Sequence, residues 1–594
     1  MSQGTLALGL APGSAGTYSL QGGTLTGNVA VSSSGTFFLS GGSVVGGIVN
    51  NGLFAETAGG AAGTLTNNAA ATVAGSMTAS QVTNAGQFTL NGGTVSTTAG
   101  FTNNSTLSGN GGIAGTGAFL NTSLFSQSGG SFTLSATGAN DNTGEIDLAP
   151  GTTAPFQIAT GSTLANDGLI KLNGGTLSGG GTLDNTSGLI GGTGRIATAR
   201  FQNQGTLTVD SGLTSLTTLS GAVINAGVIQ ATSTSALLTG SVIDNTGTIE
   251  GVGRINNSIG DTGGTIQALG GTLTLGGPVT TTKQTTLIAG AGGQLLLTGA
   301  FSDEATISLA GGNFDDASGQ AISNNGTISG YGVFTASALA NAHTILVAGG
   351  TATFNTAVTN NQGATITIDN ATGVFNGAVT NNGTITTHFG NASYAGTFTN
   401  NGTVISDPST QTFAGDLVES GTAVIQAAAG DRYVVEGGFL NDSTQNTAWN
   451  TSGATLEFAP GGASALHTLA LAGADLGTGA AGYQNNFAWN TLAIDSGQSL
   501  SLSDGVSAAN AAFYTDILTG AMISGDSITN ITGNGYNIYY DPLFATNLYL
   551  HGLTYDLTGR GQLIADSVPT PEPAAGALLA GFVLILAGLR PRRR

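Results

Sequence analysis

Residues 379–404, VTNNGTITTHFGNASYAGTFTNNGTV, hold two copies of one phrase: an apolar residue, any residue, Asn, Asn, Gly, Thr and a second apolar residue. Full or near-full copies stand at 101–107 (FTNNSTL), 201–207 (FQNQGTL), 379–385 and 398–404. Looser ones centre on Asn50, Asn84, Asn166, Asn185, Asn225, Asn245, Asn324 and Asn360. Neighbouring copies lie about 17 to 24 residues apart, a range in which a recurring period marks stacked repeats rather than separate globular units.

Each position of the phrase suggests a task. Asn and Gly tolerate positive φ, so Asn-x-Gly predicts a sharp turn between two extended segments. The residues after the turn alternate as a half-buried strand does. Ile146 and Leu148, Ile170 and Leu172, and Leu207 and Val209 are expected to face inward, with Asp147, Lys171 and Thr208 outward. Strands this short cannot bury a core alone, but coils stacked about 4.8 Å apart cover one another. The expectation is an all-β chain, a right-handed parallel β-helix of roughly twenty coils, with small residues such as Ala, Val and Gly filling a narrow interior. Over residues 1–430 the repeat style resembles the passenger regions of autotransporters and filamentous-haemagglutinin-like adhesins, which implies an elongated surface scaffold.

Composition supports this class and excludes others. Of 594 residues 100 are Gly, charged residues make up 7% and apolar residues 40%; disordered chains are charged and poor in apolar residues, the reverse of this balance. The formal charge is −20, and four of the eleven basic residues are Arg590, Arg592, Arg593 and Arg594. The remaining seven are scattered, with no cationic cluster to replace counterions on a phosphate backbone, so a nucleic-acid partner is set aside. Cysteine is absent, which removes disulfides, thiolate metal sites and a Cys nucleophile. The opening MSQGTLALGLAPGSAG has neither a basic n-region nor a long apolar run, so export requires a leader encoded upstream of Met1.

From about Asp431 the Asn-Gly phrase fades and both tryptophans, Trp449 and Trp489, appear. Residues 431–565 are expected to form less regular terminal coils or a cap, with a carbohydrate-binding module as the alternative. Within them 533–552 looks like an end coil whose tyrosines and Pro542 cover an open strand edge.

The last segment, 566–594, is of another kind. A proline-rich stretch, Val568-Pro-Thr-Pro-Glu-Pro573, cannot continue a helix. Sixteen uncharged small or apolar residues follow at 574–589, then the terminal arginines. As a helix the apolar run would span about 24 Å, short of a hydrocarbon core of about 30 Å unless the arginines snorkel. The positive-inside rule keeps those arginines cytoplasmic. This order resembles the PEP-CTERM sorting signal: Pro571, Glu572 and Pro573 match the motif, 574–589 the single transmembrane helix, and Arg590, Arg592, Arg593 and Arg594 the basic end. The added Pro569-Thr570 departs slightly from the commoner Val-Pro-Glu-Pro. The resemblance implies export, recognition by a membrane-embedded exosortase, cleavage near the motif, and delivery to the cell surface or extracellular matrix. Similar C-terminal segments also occur on some ice-binding proteins.

Candidate chemistry was weighed residue by residue. Gly477-Thr-Gly-Ala-Ala-Gly482 matches a dinucleotide fingerprint, with Asp504 near the expected distance, but no strand-helix-strand pattern surrounds it, so it reads as a turn. His343, His388, His467 and His551 are far apart in sequence, unlike a metal or triad set. Asp303 with Glu304, and Asp315 with Asp316, could serve a polysaccharide-cleaving β-helix. Adjacent strand residues point to opposite faces, however, and the body has few cations to hold acidic sugars. Asn-x-Ser/Thr strings at Asn104, Asn121, Asn325, Asn382 and Asn401 arise from the turn phrase itself. Thr-x-Thr pairs such as Thr206/Thr208, Thr272/Thr274, Thr365/Thr367 and Thr384/Thr386 raise an ice-binding alternative, weakened by uneven spacing. The reading is therefore a non-enzymatic, adhesin-like surface or matrix protein with no cofactor and no metal. Its expected partners are an exosortase-type enzyme, the inner membrane through 574–589, and extracellular polysaccharide.

Overall fold

The computed structural model describes residues 4–11, 13–505 and 510–567. The sorting motif, the apolar run 574–589 and the four terminal arginines lie outside them. The chain is an all-β parallel solenoid of about 22 turns. It divides into two compact units, Met1–Ser308 with Gly312–Ser318, and Leu309–Gly311 with the chain from Gly319 onward.

In the first unit successive coils pair in parallel. Asn140–Asn142, Thr163–Asn166 and the end of Gly175–Asn185 stack in parallel, and Glu145–Asp147, Leu169–Lys171 and Leu189–Gly191 do so beside them. Ile146, Leu148, Ile170, Leu172, Leu207 and Val209 are buried as their alternation requires. The interior is larger than small residues would fill. Phe37, Phe54, Phe88, Phe101, Phe119, Phe125, Phe132 and Phe156 are wholly buried, and Phe125 sits 4.6 Å edge-on to Phe132. Aromatic and branched aliphatic side chains fill this core because three strand faces converge on it, leaving room that Ala and Gly could not occupy.

The second unit carries the same architecture with a stack of rings at its centre. Phe354, Phe375, Tyr394 and Phe413 lie nearly parallel on successive coils, with centroids 5.1, 5.3 and 5.0 Å apart. Parallel pairing continues past Asp431: Arg432–Val435 pairs with Thr451–Phe458, which pairs with Trp489–Ile494 and then Ala512–Thr519. Two antiparallel pairs, Ile523–Ser524 with Ser527–Thr532 and Tyr555–Thr558 with Gln562–Ala565, occur near its end. Residues 533–552 are not the end coil. Asn537–Tyr540 is covered by Gln562–Ala565, and Tyr539 and Tyr540 are buried rather than capping an edge. Helix among the described residues is confined to two 3-10 turns, Ala480–Tyr483 and Ala545–Leu550.

The Asn-Gly phrase does something other than supply positive φ. Gly144, Gly168, Gly205, Gly227 and Gly247 all keep ordinary backbone angles. They are glycine because a Cβ there would sit 2.1–2.3 Å from a carbonyl oxygen of the coil beneath. At these coils a Cβ would force the backbone apart, whereas Ala69, Ser105 and Ser123 hold the equivalent position in other coils.

Candidate functional site

The first Asn of each phrase is wholly buried and forms a polar spine. In the first unit the Nδ2 of Asn50 donates to the Oδ1 of Asn67, 2.7 Å away. The pattern repeats through Asn84, Asn103, Asn121, Asn142, Asn166, Asn185, Asn203, Asn225 and Asn245 at 2.6–2.8 Å. The same Nδ2 commonly donates again to the carbonyl three residues beyond its partner, as Asn50 does to Ala70 and Asn103 to Leu124. Within a spine the amide oxygen accepts from one neighbour and the NH2 donates to the next, the second N–H going to a carbonyl of the next coil or, at Asn166 and Asn245, of its own. The second unit has a shorter spine, Asn324, Asn341, Asn360, Asn381 and Asn400.

Both spines run donor-first along the chain and end on a carboxyl, the side chain that accepts without needing to donate. Asp261 receives Asn245 at 2.6 Å, the Gly263 and Gly264 amides at 3.1 and 2.7 Å, and the Thr285 hydroxyl at 2.9 Å. Glu419 receives Asn400 at 2.7 Å, while its Oε1 has no hydrogen-bond partner among the described residues. Burial pushes the Glu419 carboxyl up to about 8.

The residues weighed for chemistry do not converge. Asp303 is buried and accepts the Ala305 amide at 2.9 Å, and burial raises its carboxyl to about 7; Glu304 beside it is exposed. Asp315 faces outward and accepts from Gln294 at 3.1 Å, whereas Asp316 faces inward and accepts the Ser318 amide at 3.0 Å. Strand alternation separates Asp315 from Asp316, whereas Asp303 and Glu304 lie between two strands, one buried and the other exposed. The glycines of 477–482 cradle nothing: the Gly477 amide donates to Asp475 at 3.0 Å and the Gly479 amide to Asp566 at 2.9 Å. His467 is buried between the Gly437 carbonyl and Gln498, and His343 and His551 are exposed. Among the described residues no three His, Cys, Asp or Glu side chains group so as to hold a metal ion.

No family model, curated protein or solved structure matches the chain.

The outer surface is ordered by the same register. Thr248, Thr265, Thr286 and Thr306 form one row in the first unit, and Thr327, Thr344, Thr365, Thr384 and Thr403 another in the second. Their uneven spacing in sequence comes from turns of unequal length, which the strand register absorbs.

One corner of the second unit stands apart. His388 lies in register between Asp369 and Asp407, with Nδ1 3.1 Å from the Asp369 carboxylate. The residue after each forms the corner: Asn370, Phe389 and Pro408. Phe389 is 59% exposed, holds φ at 47° and meets the His388 ring edge-on at 4.2 Å. Beside it Gly390, Asn391, Pro408, Ser409, Thr410 and Gly430 line a cavity of about 370 Å³. A second cavity of about 390 Å³ is lined by Trp449–Ser452 and residues 483–488, where Asn485 and Phe487 also hold positive φ, 51° and 59°. Sequence reasoning passed over this corner because the whole signal is one phenylalanine where the preceding coil has asparagine.

Proposed function

We propose that the chain is an exported, non-enzymatic structural protein of the cell surface or extracellular matrix, sorted through its C-terminal segment. The observation that carries this reading is the order Pro571-Glu572-Pro573, the apolar run 574–589 and Arg590, Arg592, Arg593 and Arg594, which resembles a sorting signal. A solenoid supports it, since a repeated coil builds length and outer surface from one short phrase. In this reading 574–589 is a transmembrane helix in the inner membrane, the arginines stay cytoplasmic, and an exosortase-type enzyme cuts near the motif. The solenoid is taken as right-handed, the hand that parallel crossover connections almost always adopt.

Intact-mass analysis of protein from its native host tests the reading. The mature chain should end close to Pro573, without the apolar run or the terminal arginines. Seven basic residues would then face 31 acidic ones, a formal charge of about −24. A chain ending in Arg594 would reduce the segment to a tail anchor, and processing that persists after Pro571, Glu572 and Pro573 are all changed to alanine would remove the motif from the mechanism.

A second reading, ice binding, is favoured by the threonine rows. Purified protein is expected to show no thermal hysteresis. A freezing gap abolished by Thr365→Lys with Thr384→Lys would assign the rows that function instead.

A further inference from the structure

We propose that the corner of the second unit running from Phe389 to Asn485 binds a neutral oligosaccharide, with one sugar stacked on the Phe389 ring and the other end of the chain held among the amides around Asn485. The site goes beyond export and sorting and stands or falls independently of how the tail is processed.

Phe389 is the starting point because folding does not account for it. Left-handed backbone costs an L residue roughly 1–2 kcal/mol, and a ring that stays mostly in water returns little of that by burial. The preceding coil meets the same corner with Asn370 at φ 49°, a residue type that tolerates the conformation. Phe389 is therefore both strained and exposed, and its edge-on contact with His388 fixes the ring's direction.

The register then places the two cavities on one line. Pro408 follows Phe389 on the next coil, and a Cβ on Gly430 would lie 3.7 Å from the Pro408 ring. The Gly430 amide in turn donates to the Gly453 carbonyl at 3.3 Å, one coil further, beside Asn450 and Ser452 of the second cavity. Three coil steps, about 14 Å at the spacing of paired strands, separate Phe389 from the near edge of the second cavity at Asn450 and Ser452, and residues 483–488 lead into Trp489, one coil further. That distance suits a short extended sugar chain rather than a single compact ligand.

The lining chemistry selects the class. Neither cavity is lined by Lys, Arg, Asp or Glu. Arg432, the nearest cation in sequence to the first cavity, is paired with Glu457. Asp369 and Asp407 flank His388 at the same corner and would repel an anionic chain. What the cavities offer instead are hydroxyls and amides, Asn391, Thr410, Asn450, Ser452, Gln484 and Asn485, groups that donate and accept at once as sugar hydroxyls do. Trp449 and Phe487, in edge contact at 5.2 Å, give the second cavity an apolar wall.

Calorimetric titration of the purified full chain with cellohexaose, laminarihexaose and mannohexaose, with hexagalacturonate as the charged counterpart, tests the site. At least one neutral hexasaccharide should bind, and Phe389→Asn should weaken it about tenfold or more while leaving the unfolding midpoint unchanged or higher. Phe389→Trp should retain binding, and Gln484→Ala with Asn485→Gly should weaken it from the other end. Phe389→Asn copies the residue of the preceding coil, so loss of binding there is not loss of fold. Absence of binding to all three neutral chains, tighter binding of hexagalacturonate, or full affinity in either the Phe389→Asn or the Gln484/Asn485 variant would overturn the proposal.

Discussion

The two asparagine spines are built alike and end differently. Asp261 closes the first with four donors on its two oxygens. Glu419 closes the second with one donor and is wholly buried, and its carboxyl is held at about 8. A carboxyl can end a spine because it accepts without needing to donate, and the two ends differ in how many donors offset its burial.

The largest expected effect lies inside a spine rather than at its end. Asn142→Leu removes the acceptor of Asn121 and the donor to Asn166 and to the Leu169 carbonyl, leaving three buried polar groups without that partner. At about 1–3 kcal/mol for each stranded group the loss should be about 4–6 kcal/mol, read by chemical denaturation of the full chain. An unchanged midpoint would mean that the spine is incidental to stability.

The contrast between the two ends is tested next. The folded Glu419 carboxyl keeps its proton up to about pH 8, whereas an unfolded glutamate releases it near 4.5, so the folded state binds more protons across that window. Its contribution is fully present below about 4.5 and is lost as pH rises toward 8. Glu419→Gln, which cannot ionise, should therefore raise stability at pH 8 by up to about 4 kcal/mol and change it little near pH 4. Asp303 and Asp516, each raised to about 7 chiefly by burial, act in the same direction and should give the wild type higher stability at pH 5 than at pH 8. Asp261→Asn keeps one acceptor oxygen for the Gly263 and Gly264 amides but turns its NH2 against the Asn245 amide, so it should instead destabilise by about 2 kcal/mol. A Glu419→Gln variant with the same pH dependence as the wild type would remove the role given to Glu419.

The smallest effects separate two kinds of glycine. Gly247→Ala would push a Cβ to 2.2 Å from the Gly227 carbonyl and should cost about 2–3 kcal/mol. Gly270 holds φ at 67° with nothing within 4 Å, so alanine there meets only backbone strain, about 1 kcal/mol. Thermal melts of the two variants give the ranking.

Much of the fold was legible because it rests on local chemistry. The recurring Asn-Asn-Gly-Thr phrase, its period and the alternation after each turn were enough to derive a parallel solenoid and to place Ile146, Ile170 and Leu207 in its core. The same alternation correctly separated Asp315 from Asp316. The phrase does bend the chain between two strands, but the reason for its residues was misread. A single sequence shows one Asn-Gly at a time and suggests a turn, whereas the need for asparagine and glycine comes from the coil above and the coil below. Asn67, Asn121 and Asn142 stand in weak copies of the phrase yet occupy the same spine, a fact visible only when coils of unequal length are brought into register. The threonine rows were discounted for the same reason.

Sequence by itself therefore determined the class of fold, the absence of cysteine chemistry and the distinct character of the C-terminal segment, because composition, period and charge need no neighbour to be read. Only the tertiary structure decided that the turn asparagines form a buried hydrogen-bonded spine, that a fully buried carboxyl ends one of the two spines, and that Phe389 shares a corner with cavities up to three coils away. Those features depend on which residues, 16 to 24 positions apart, fall at the same height of the coil. Strand register sets that height, and it absorbs every difference in turn length along the way.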